Sequence, residues 1–519
     1  MADALRGIGD RLRALSPWRA RLAAFGAGAL SALGFAPFGL FPLLLLGFAA
    51  LALLLDAAQI RPKPVRDGAW IGWCFGFGQF LVGLHWIGYA FLVDPNQHEW
   101  QIPFVAVLFP GGLALFFAVA GALAARLWRD GPARIFILAA AIAVTEWLRG
   151  HILTGFPWNL AGYGWAASLA VMQSTALFGV TGLSLLTVLF GASLAELADR
   201  RIALPLAMTT LFAALFLGGA WRLATASNEV VDGVHLRIVQ PNIAQADKYK
   251  PELIARNWNR LLELSDAPAK RRPTHIVWPE AAPPFVLTRS AAALDEIAVL
   301  TGRDRVLMTG AVRALRVDGR TRYFNSFYVF DHGGRLAAVY DKFHLVPFGE
   351  YLPLESLLAG LGLKKLVGIE GSFSTGDGPH TVDIPGAPPA SPLICYEILF
   401  SGEVVGDARA RWLVNVTDDS WFGPWAGPEQ HLVVAEIRAI EMGLPVVRAA
   451  NTGISAVIDS YGRLRGRLGL DKLGVLDADL PVAIEPTPYA RGGEFGFWLL
   501  ILGGIAGAFL AVHNRPRAD

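Results

Sequence analysis

Hydrophobic positions fall along this chain in three blocks. Through residues 1–222 they run in long, nearly unbroken stretches; between 230 and 490 they come as short runs split by charged and turn-forming residues; over 495–513 one long stretch returns. A bilayer core about 30 Å thick is crossed by roughly 20 apolar residues in a helix. By that measure the first block holds spans at about 20–36, 38–56, 68–92, 103–127, 134–151, 166–197 and 203–222, and the last block holds an eighth at 495–513. Ala36-Pro37-Phe38-Gly39 leaves almost no loop between the first two. The Gly-rich stretch 72–83 lies inside a span, where small residues let helices approach closely, so it is not a phosphate loop.

The middle block alternates strand and helix patterns. Strands are expected at 235–239, 274–278, 306–312, 324–330, 335–340, 393–395, 412–416 and 455–459, with helices at 251–264, 291–300 and 429–441. Asp331-His332-Gly333-Gly334 and Ser460-Tyr461-Gly462 are hairpin turns by their chemistry. Short strand–helix units mixed with hairpins favour a layered α/β sandwich. No internal repeat or low-complexity segment is visible. The domains expected are thus a membrane region over 1–222, an α/β domain over 230–490 and a final membrane helix over 495–513.

Charge then sets orientation. Of 519 residues 54% are hydrophobic and 17% charged, well below the quarter usual for a soluble chain. Basic residues mark the amino terminus (Arg6, Arg11, Arg13, Arg19, Arg21) and every second connection: Arg61, Lys63 and Arg66; Arg126, Arg129 and Arg134; Arg200 and Arg201; and the tail, Arg515 and Arg517. The segment 94–99 has no Lys or Arg. This alternation fits about eight spans with both termini in the cytoplasm and the α/β domain outside. A cleaved signal peptide is the rival reading of the first span, but further spans follow at once. A net charge of +2 gives no argument for nucleic acid.

The outward placement makes the two cysteines informative. Cys74 lies in a span and is read as packing; Cys395 is alone in the outer domain, so no disulfide can form there. It ends an apolar run in Ser391-Pro392-Leu393-Ile394-Cys395-Tyr396-Glu397. Two other apolar runs also end in one charged residue: Thr274-His275-Ile276-Val277-Trp278-Pro279-Glu280 and Leu336-Ala337-Ala338-Val339-Tyr340-Asp341-Lys342. A thiol of ordinary pKa is only a few per cent thiolate at neutral pH and needs a base, which Glu280 would supply from an apolar pocket. Attack on a carbonyl builds negative charge on oxygen, and Lys342 would stabilise it. Taken singly, each has a bland reading as a turn, a strand end or a core thiol; three in this order are hard to assign to chance.

Glu, Lys and Cys at successive strand ends are the constellation of the nitrilase superfamily, and the flanking spans narrow the likeness. The chain resembles the bacterial apolipoprotein N-acyltransferase family in Val239-Gln240-Pro241-Asn242-Ile243, Trp278-Pro279-Glu280, the run from Tyr340-Asp341-Lys342 through His344-Leu345-Val346-Pro347-Phe348-Gly349-Glu350-Tyr351, Ile394-Cys395-Tyr396-Glu397 and Asp419-Ser420-Trp421-Phe422-Gly423. The resemblance covers nearly the whole chain. It implies a polytopic α-helical membrane protein with an inserted αββα sandwich, Glu280 as base, Lys342 as charge stabiliser and Cys395 as nucleophile, with Glu350, Tyr396 and Glu397 in support. It also implies an acyl donor that is a membrane phospholipid such as phosphatidylethanolamine, acceptors that are diacylglyceryl-modified apolipoproteins, and residence in the bacterial inner membrane with a periplasmic catalytic domain. One departure is Tyr249, where the family usually has Trp after Gln245-Ala246-Asp247-Lys248.

Secondary candidates divide by context. Tyr249, Trp421 and Phe422 are expected as lipid or substrate contacts at the site mouth, while His344 and His431 are expected to be structural because a base is already present. Phe156-Pro157-Trp158-Asn159 reads as an outer interfacial anchor. No Cys/His cluster has metal spacing, so neither metal nor other cofactor is expected. Two rival functions stay open from the residues alone. One is a membrane-tethered amidase or nitrilase acting on a soluble amide. The other is a transporter, which the few ionisable residues in the spans, mainly His85 and Glu146, disfavour.

Overall fold

The computed structural model describes residues 2–317, 319–353 and 372–513. They form two compact units: Met1–Trp86, Gln101–Ala226 and Thr487–Asp519 in one, Ile87–Trp100 and Ser227–Pro486 in the other. Arg515 and Arg517, counted above as a charge signal, lie outside the described residues.

The first unit is helical. Each expected span has a helix: Pro17–Ser31, Phe41–Gln59, Pro64–Gly83, Ile102–Leu127, Ala133–His151, Thr175–Ser193, Ala203–Ala224 and Phe495–His513. Among the described residues four helical segments are long and apolar enough to cross a membrane: Phe41–Gln59, Pro95–Leu127, Thr175–Asp199 and Ala203–Ala224. The expected single span 68–92 is broken. Pro64–Gly83 gives way to a 3₁₀ segment, His85–Leu92, at a bend of 49°, and the pair makes a fifth if taken as one span. Pro17–Ser31 has 15 residues, and Ala133–His151 carries Arg134, Glu146 and Arg149. Glycines do act as contact points: a methyl on Gly72 would collide with the Phe117 carbonyl, and one on Gly78 with that of Phe25.

Buried charges in this unit exceed what the sequence suggested. Arg134 pairs with Glu196 at 2.9 Å and with Asp199 at 2.6 Å, and Arg13 reaches Asp199 at 2.9 Å and Asp56 at 3.0 Å. The expected interfacial anchor also differs. Trp158 is buried, 2% exposed, against Trp86 at 4.7 Å between ring centres. Arg149 draws the chain inward by donating to the carbonyls of Phe156 and Trp158, at 2.5 and 2.8 Å. Glu146 accepts the Ala161 N–H at 3.2 Å.

Among the described residues the second unit holds eleven strands in two sheets. The first sheet contains β1 (Val230–Gln240), β2 (His275–Trp278), β3 (Val306–Val317), β4 (Arg320–Phe330), β5 (Leu336–Asp341) and, from later in the chain, β11 (Gly474–Pro481), in the order β11-β1-β2-β3-β4-β5. The second contains β6 (Ala390–Ile394), β7 (Trp412–Thr417), β8 (Val446–Ala450), β9 (Ser455–Ile458) and β10 (Leu464–Leu468), in the order β10-β9-β8-β7-β6. In each, three consecutive strands run parallel and the next two return antiparallel. Leu236, Ile238, Met308, Phe327 and Val329 of the first sheet meet Ile394, Trp412, Val414, Val447 and Val457 of the second in one apolar layer. The outer face of the first sheet buries Ile276, Trp278 and Tyr328 under Trp258 and Leu261 of helix Ile254–Ser265 and Ile297 of helix Ala291–Thr301. Helix Ala426–Met442 lies on the other side, against β8 and β9. The expected helix–sheet–sheet–helix sandwich is therefore present.

Because the inter-sheet layer is apolar and fully buried, truncation there should cost far more than at the surface. Phe327→Ala should destabilise the protein by about 3–5 kcal/mol, whereas Val299→Ala, at a position 80% exposed, should stay within about 0.5 kcal/mol. Thermal unfolding of the detergent-solubilised protein compares the two; equal midpoints would contradict this packing.

Candidate active site

Three strands deliver three reactive side chains at their carboxyl ends. Glu280 lies two residues beyond β2, Lys342 one beyond β5 and Cys395 one beyond β6. Cys395 does not extend its strand as the apolar run suggested. It opens a 3₁₀ turn, Cys395–Leu399, with φ at +51°, a left-handed conformation that non-glycine residues rarely adopt.

Glu397 holds that turn. Its Oε2 accepts the Ile394 N–H at 2.7 Å, and its Oε1 accepts from Phe343 N at 2.8 Å, His344 N at 3.3 Å and Tyr340 OH at 3.0 Å. One carboxylate thereby ties the end of β6 to the segment that follows β5, which brings Cys395 to Lys342. Arg438 braces the far side by donating to the Ile398 carbonyl at 3.0 Å.

Lys342 is buried among carboxylates. Its Nζ lies 2.9 Å from Glu350 Oε2 and 3.6 Å from Glu280 Oε1. Asn325, on β4, keeps those two acids apart by donating to Glu280 at 2.7 Å and to Glu350 at 2.9 Å. Glu350 also accepts the Val346 N–H at 2.8 Å, and Glu280 Oε2 accepts the Asp418 N–H at 2.9 Å. Behind Cys395 stands a second polar cluster. The Thr417 hydroxyl donates to Asp419 at 2.9 Å, Asp419 pairs with Arg448 at 2.6 Å, and His431 Nδ1 lies 3.0 Å from Asp419. Gly453 makes room for it, since a methyl there would strike the Asp419 carboxylate.

Burial drives the proton affinities. It raises Glu280 above the ordinary carboxylate range, with Lys342 pulling the other way and Glu350 adding to the rise. Burial alone would lower Lys342, but Glu350 and Glu280 outweigh it and hold the ammonium above its usual range. The Cys395 thiol is pushed well above its ordinary value, first by burial and then by the Glu280 charge. Both effects favour the neutral thiol at rest. Glu397 is lifted to about 7 by burial, against the N–H groups that hold it.

The remaining candidates separate clearly. Tyr396 is buried and packs edge-on against Phe400 at 5.2 Å. His344 stacks on Phe400 at 3.5 Å, and His431 is fully enclosed beside Arg448, so both sit in packing and ion networks as expected of structural residues. Tyr249 is 46% exposed, while Trp421 and Phe422 are half-buried, Phe422 against the inter-sheet layer. Residues 87–100 join this unit, and the Tyr89 ring covers Gly423. Asn325, Thr417, Asp418 and Arg448 were not singled out from sequence, and Asp419 only as the first residue of a matching stretch. Each stands inside or beside an apolar run, and an unbroken run with one buried polar residue was the available signal. Among the described residues no group of three or more His, Cys, Asp or Glu could hold a metal.

Comparison with known proteins bears on the whole chain. The family model described as the apolipoprotein N-acyltransferase N-terminal domain matches residues 27–193, and that of the carbon–nitrogen hydrolases matches residues 235–489. An apolipoprotein N-acyltransferase of Rhodopseudomonas palustris is 45% identical over 516 residues, covering 96% of each chain. The protein of the same name from Bradyrhizobium diazoefficiens is 46% identical over 515 residues (96% and 95% covered), and that from Brucella suis 43% over 530 residues (98% and 99%).

The Glu397 bracket yields a direct test. An amide cannot accept at its nitrogen, so Glu397→Gln faces at least one N–H or O–H with a donor of its own. It should lower stability by about 1–3 kcal/mol, read as a reduced unfolding midpoint. A variant that melts like the parent would show that the four donors do not hold the turn.

Proposed function

The chain belongs to the apolipoprotein N-acyltransferase family, and on that premise we propose how its buried residues move an acyl group from a membrane phospholipid to the amino terminus of a lipoprotein. It is a membrane-bound acyltransferase with a carbon–nitrogen hydrolase fold. The observation that carries the mechanism is a buried thiol whose turn Glu397 ties to the segment of Lys342, with the Lys342 ammonium 3.6 Å from the Glu280 carboxylate.

In the first half-reaction Glu280 takes the thiol proton as Cys395 Sγ attacks the ester carbonyl of the donor. The carbonyl electrons move onto oxygen, where Lys342 meets the new negative charge. Collapse breaks the ester C–O bond, the lyso-phospholipid oxygen recovers the proton from Glu280, and a thioester remains on Cys395. In the second half-reaction the free α-amino group of a diacylglyceryl-modified cysteine attacks the thioester carbonyl. Glu280 removes a proton from that nitrogen, Lys342 again stabilises the oxyanion, and the thiolate leaves and is reprotonated as the amide forms. Glu350 keeps Lys342 charged, Glu397 sets the Cys395 turn, and Tyr396 within that turn packs against His344 and Phe400.

The raised proton affinity of Glu280 suits it to both directions of transfer. A carboxylate of ordinary strength would hold a thiol proton too weakly to draw it from so reluctant an acid. Phosphatidylethanolamine is the donor we favour, and Tyr249, Trp421 and Phe422 are the aromatic groups we assign to contact with its chains or the acceptor's. The basic connections support an inner-membrane protein with both termini in the cytoplasm and the catalytic domain in the periplasm.

Three substitutions test the roles. Cys395→Ala should abolish transfer. Glu280→Gln should be inactive at neutral pH and recover partly as pH rises toward the thiol pKa, because hydroxide then removes the proton. Lys342→Met should be slower by about 10²–10³ at every pH, since no base replaces a missing positive charge. Transfer rates from phosphatidylethanolamine to a diacylated peptide across stepped pH decide this, and equal recovery of Glu280→Gln and Lys342→Met would overturn the assignment.

A further inference from the structure

A second ammonium is buried beside Glu280, against its main-chain carbonyl. Lys248 closes the short helical turn Gln245–Lys248 and is only 2% exposed. Its Nζ donates to Asp418 Oδ2 at 2.7 Å and to the main-chain carbonyl of Glu280 at 3.3 Å. Asp418 passes the restraint on, because its backbone N–H donates to Glu280 Oε2 at 2.9 Å. Lys248 therefore grips Glu280 at both ends, the main chain directly and the carboxylate through Asp418. The grip is itself anchored. Asn451 donates to both Asp418 oxygens at 3.1 Å, Ser420 Oγ donates at 2.5 Å, and Asn257 holds the carbonyls of Asp247 and Lys248 at 3.2 and 3.3 Å.

A buried ion pair is weak evidence for stability, since apolar residues of the same volume often serve as well. The Lys248–Asp418 pair is better explained by what it touches. We propose that Lys248 is a positioning residue for Glu280: through Asp418 it fixes the carboxylate's orientation and offsets the negative charge that would otherwise keep Glu280 protonated. This rests on the reading of Glu280 as the base.

The groups that face Glu280 are Lys342, Glu350, Asp418, Lys248, the Cys395 thiol and the Tyr249 phenol, with Asn325 as neutral donor. Three carboxylates, Glu280, Glu350 and Asp418, thus share two ammoniums. Removing Lys248 leaves three against one, and the Glu280 proton is released only at higher pH. Removing Asp418 instead has the opposite sign. Removing both restores the balance.

The test is the rate of acyl-adduct formation on Cys395 against pH, in the full-length protein in micelles carrying phosphatidylethanolamine of defined chains. Lys248→Met should shift the acid limb of that profile upward by about one to two pH units. Asp418→Asn should shift it downward, and the double variant should return it to within about half a unit of the parent. Uniformly slower adduct formation with unmoved limbs would mean that the pair is merely structural, and shifts of one sign in both single variants would also overturn the inference. If Lys248→Met fails to fold, Asp418→Asn and the double variant still decide, because their limbs must differ in the stated direction. An acid limb at the parent's own pH in Glu280→Gln would instead remove Glu280 as the base, a failure distinct from an unmoved Lys248→Met limb.

Discussion

An ammonium taken out of water loses several kcal/mol of hydration unless carboxylates replace it, and Lys342 is buried almost completely. Its replacement shell comes from two distant places in the chain, Glu280 after β2 and Glu350 from the turn after β5, with Asn325 in β4 holding both acids. Two acids around one cation repel each other, and the Asn325 amide between them answers that repulsion. The order of the first sheet follows the same demand, since β2, β3, β4 and β5 must lie side by side for these groups to converge. Cys395 enters from the other sheet, and the Glu397 bracket links its turn to the Lys342 segment.

The same charge cluster explains why a reactive thiol persists unpaired. Burial and the Glu280 charge keep Cys395 protonated at rest, so it lacks the thiolate character that invites oxidation. In the proposed reaction a substrate carbonyl arrives while Glu280 accepts the proton. Precise placement of Glu280 is accordingly worth several hydrogen bonds: Asn325 and the Asp418 N–H on the carboxylate, and Lys248 on the carbonyl.

How much of this was legible in the sequence depends on where each polar residue stands. Glu280, Lys342 and Cys395 each end an apolar run, and Glu350 and Glu397 follow within a few residues of one. Such residues stand out, and the structure brings all five together. Asn325 and Thr417 lie within or at the end of strands where a small polar side chain looks like an ordinary exposed position. Arg448 sits in β8, whose short run Val446–Ala450 was not recognised as a strand because a buried arginine interrupts it. β10 and β11 were missed because their partly exposed faces dilute the apolar signal. In the helical unit, arginines read as markers of orientation turn out to be paired: Arg13 and Arg134 share Asp56 and Asp199. Trp158, whose sequence context suggested an interface, is held inside by carbonyl contacts that no pattern of apolar residues reveals.

Covalent transfer through Cys395 is the claim on which the rest turns. Its most direct measurement is the intact mass of the protein after exposure to phosphatidylethanolamine alone, and again after addition of a diacylated peptide with a free amino terminus. The account predicts one added acyl group, located on Cys395, that disappears as the peptide becomes N-acylated. An unmodified mass throughout, with N-acylated peptide accumulating all the same, would contradict it.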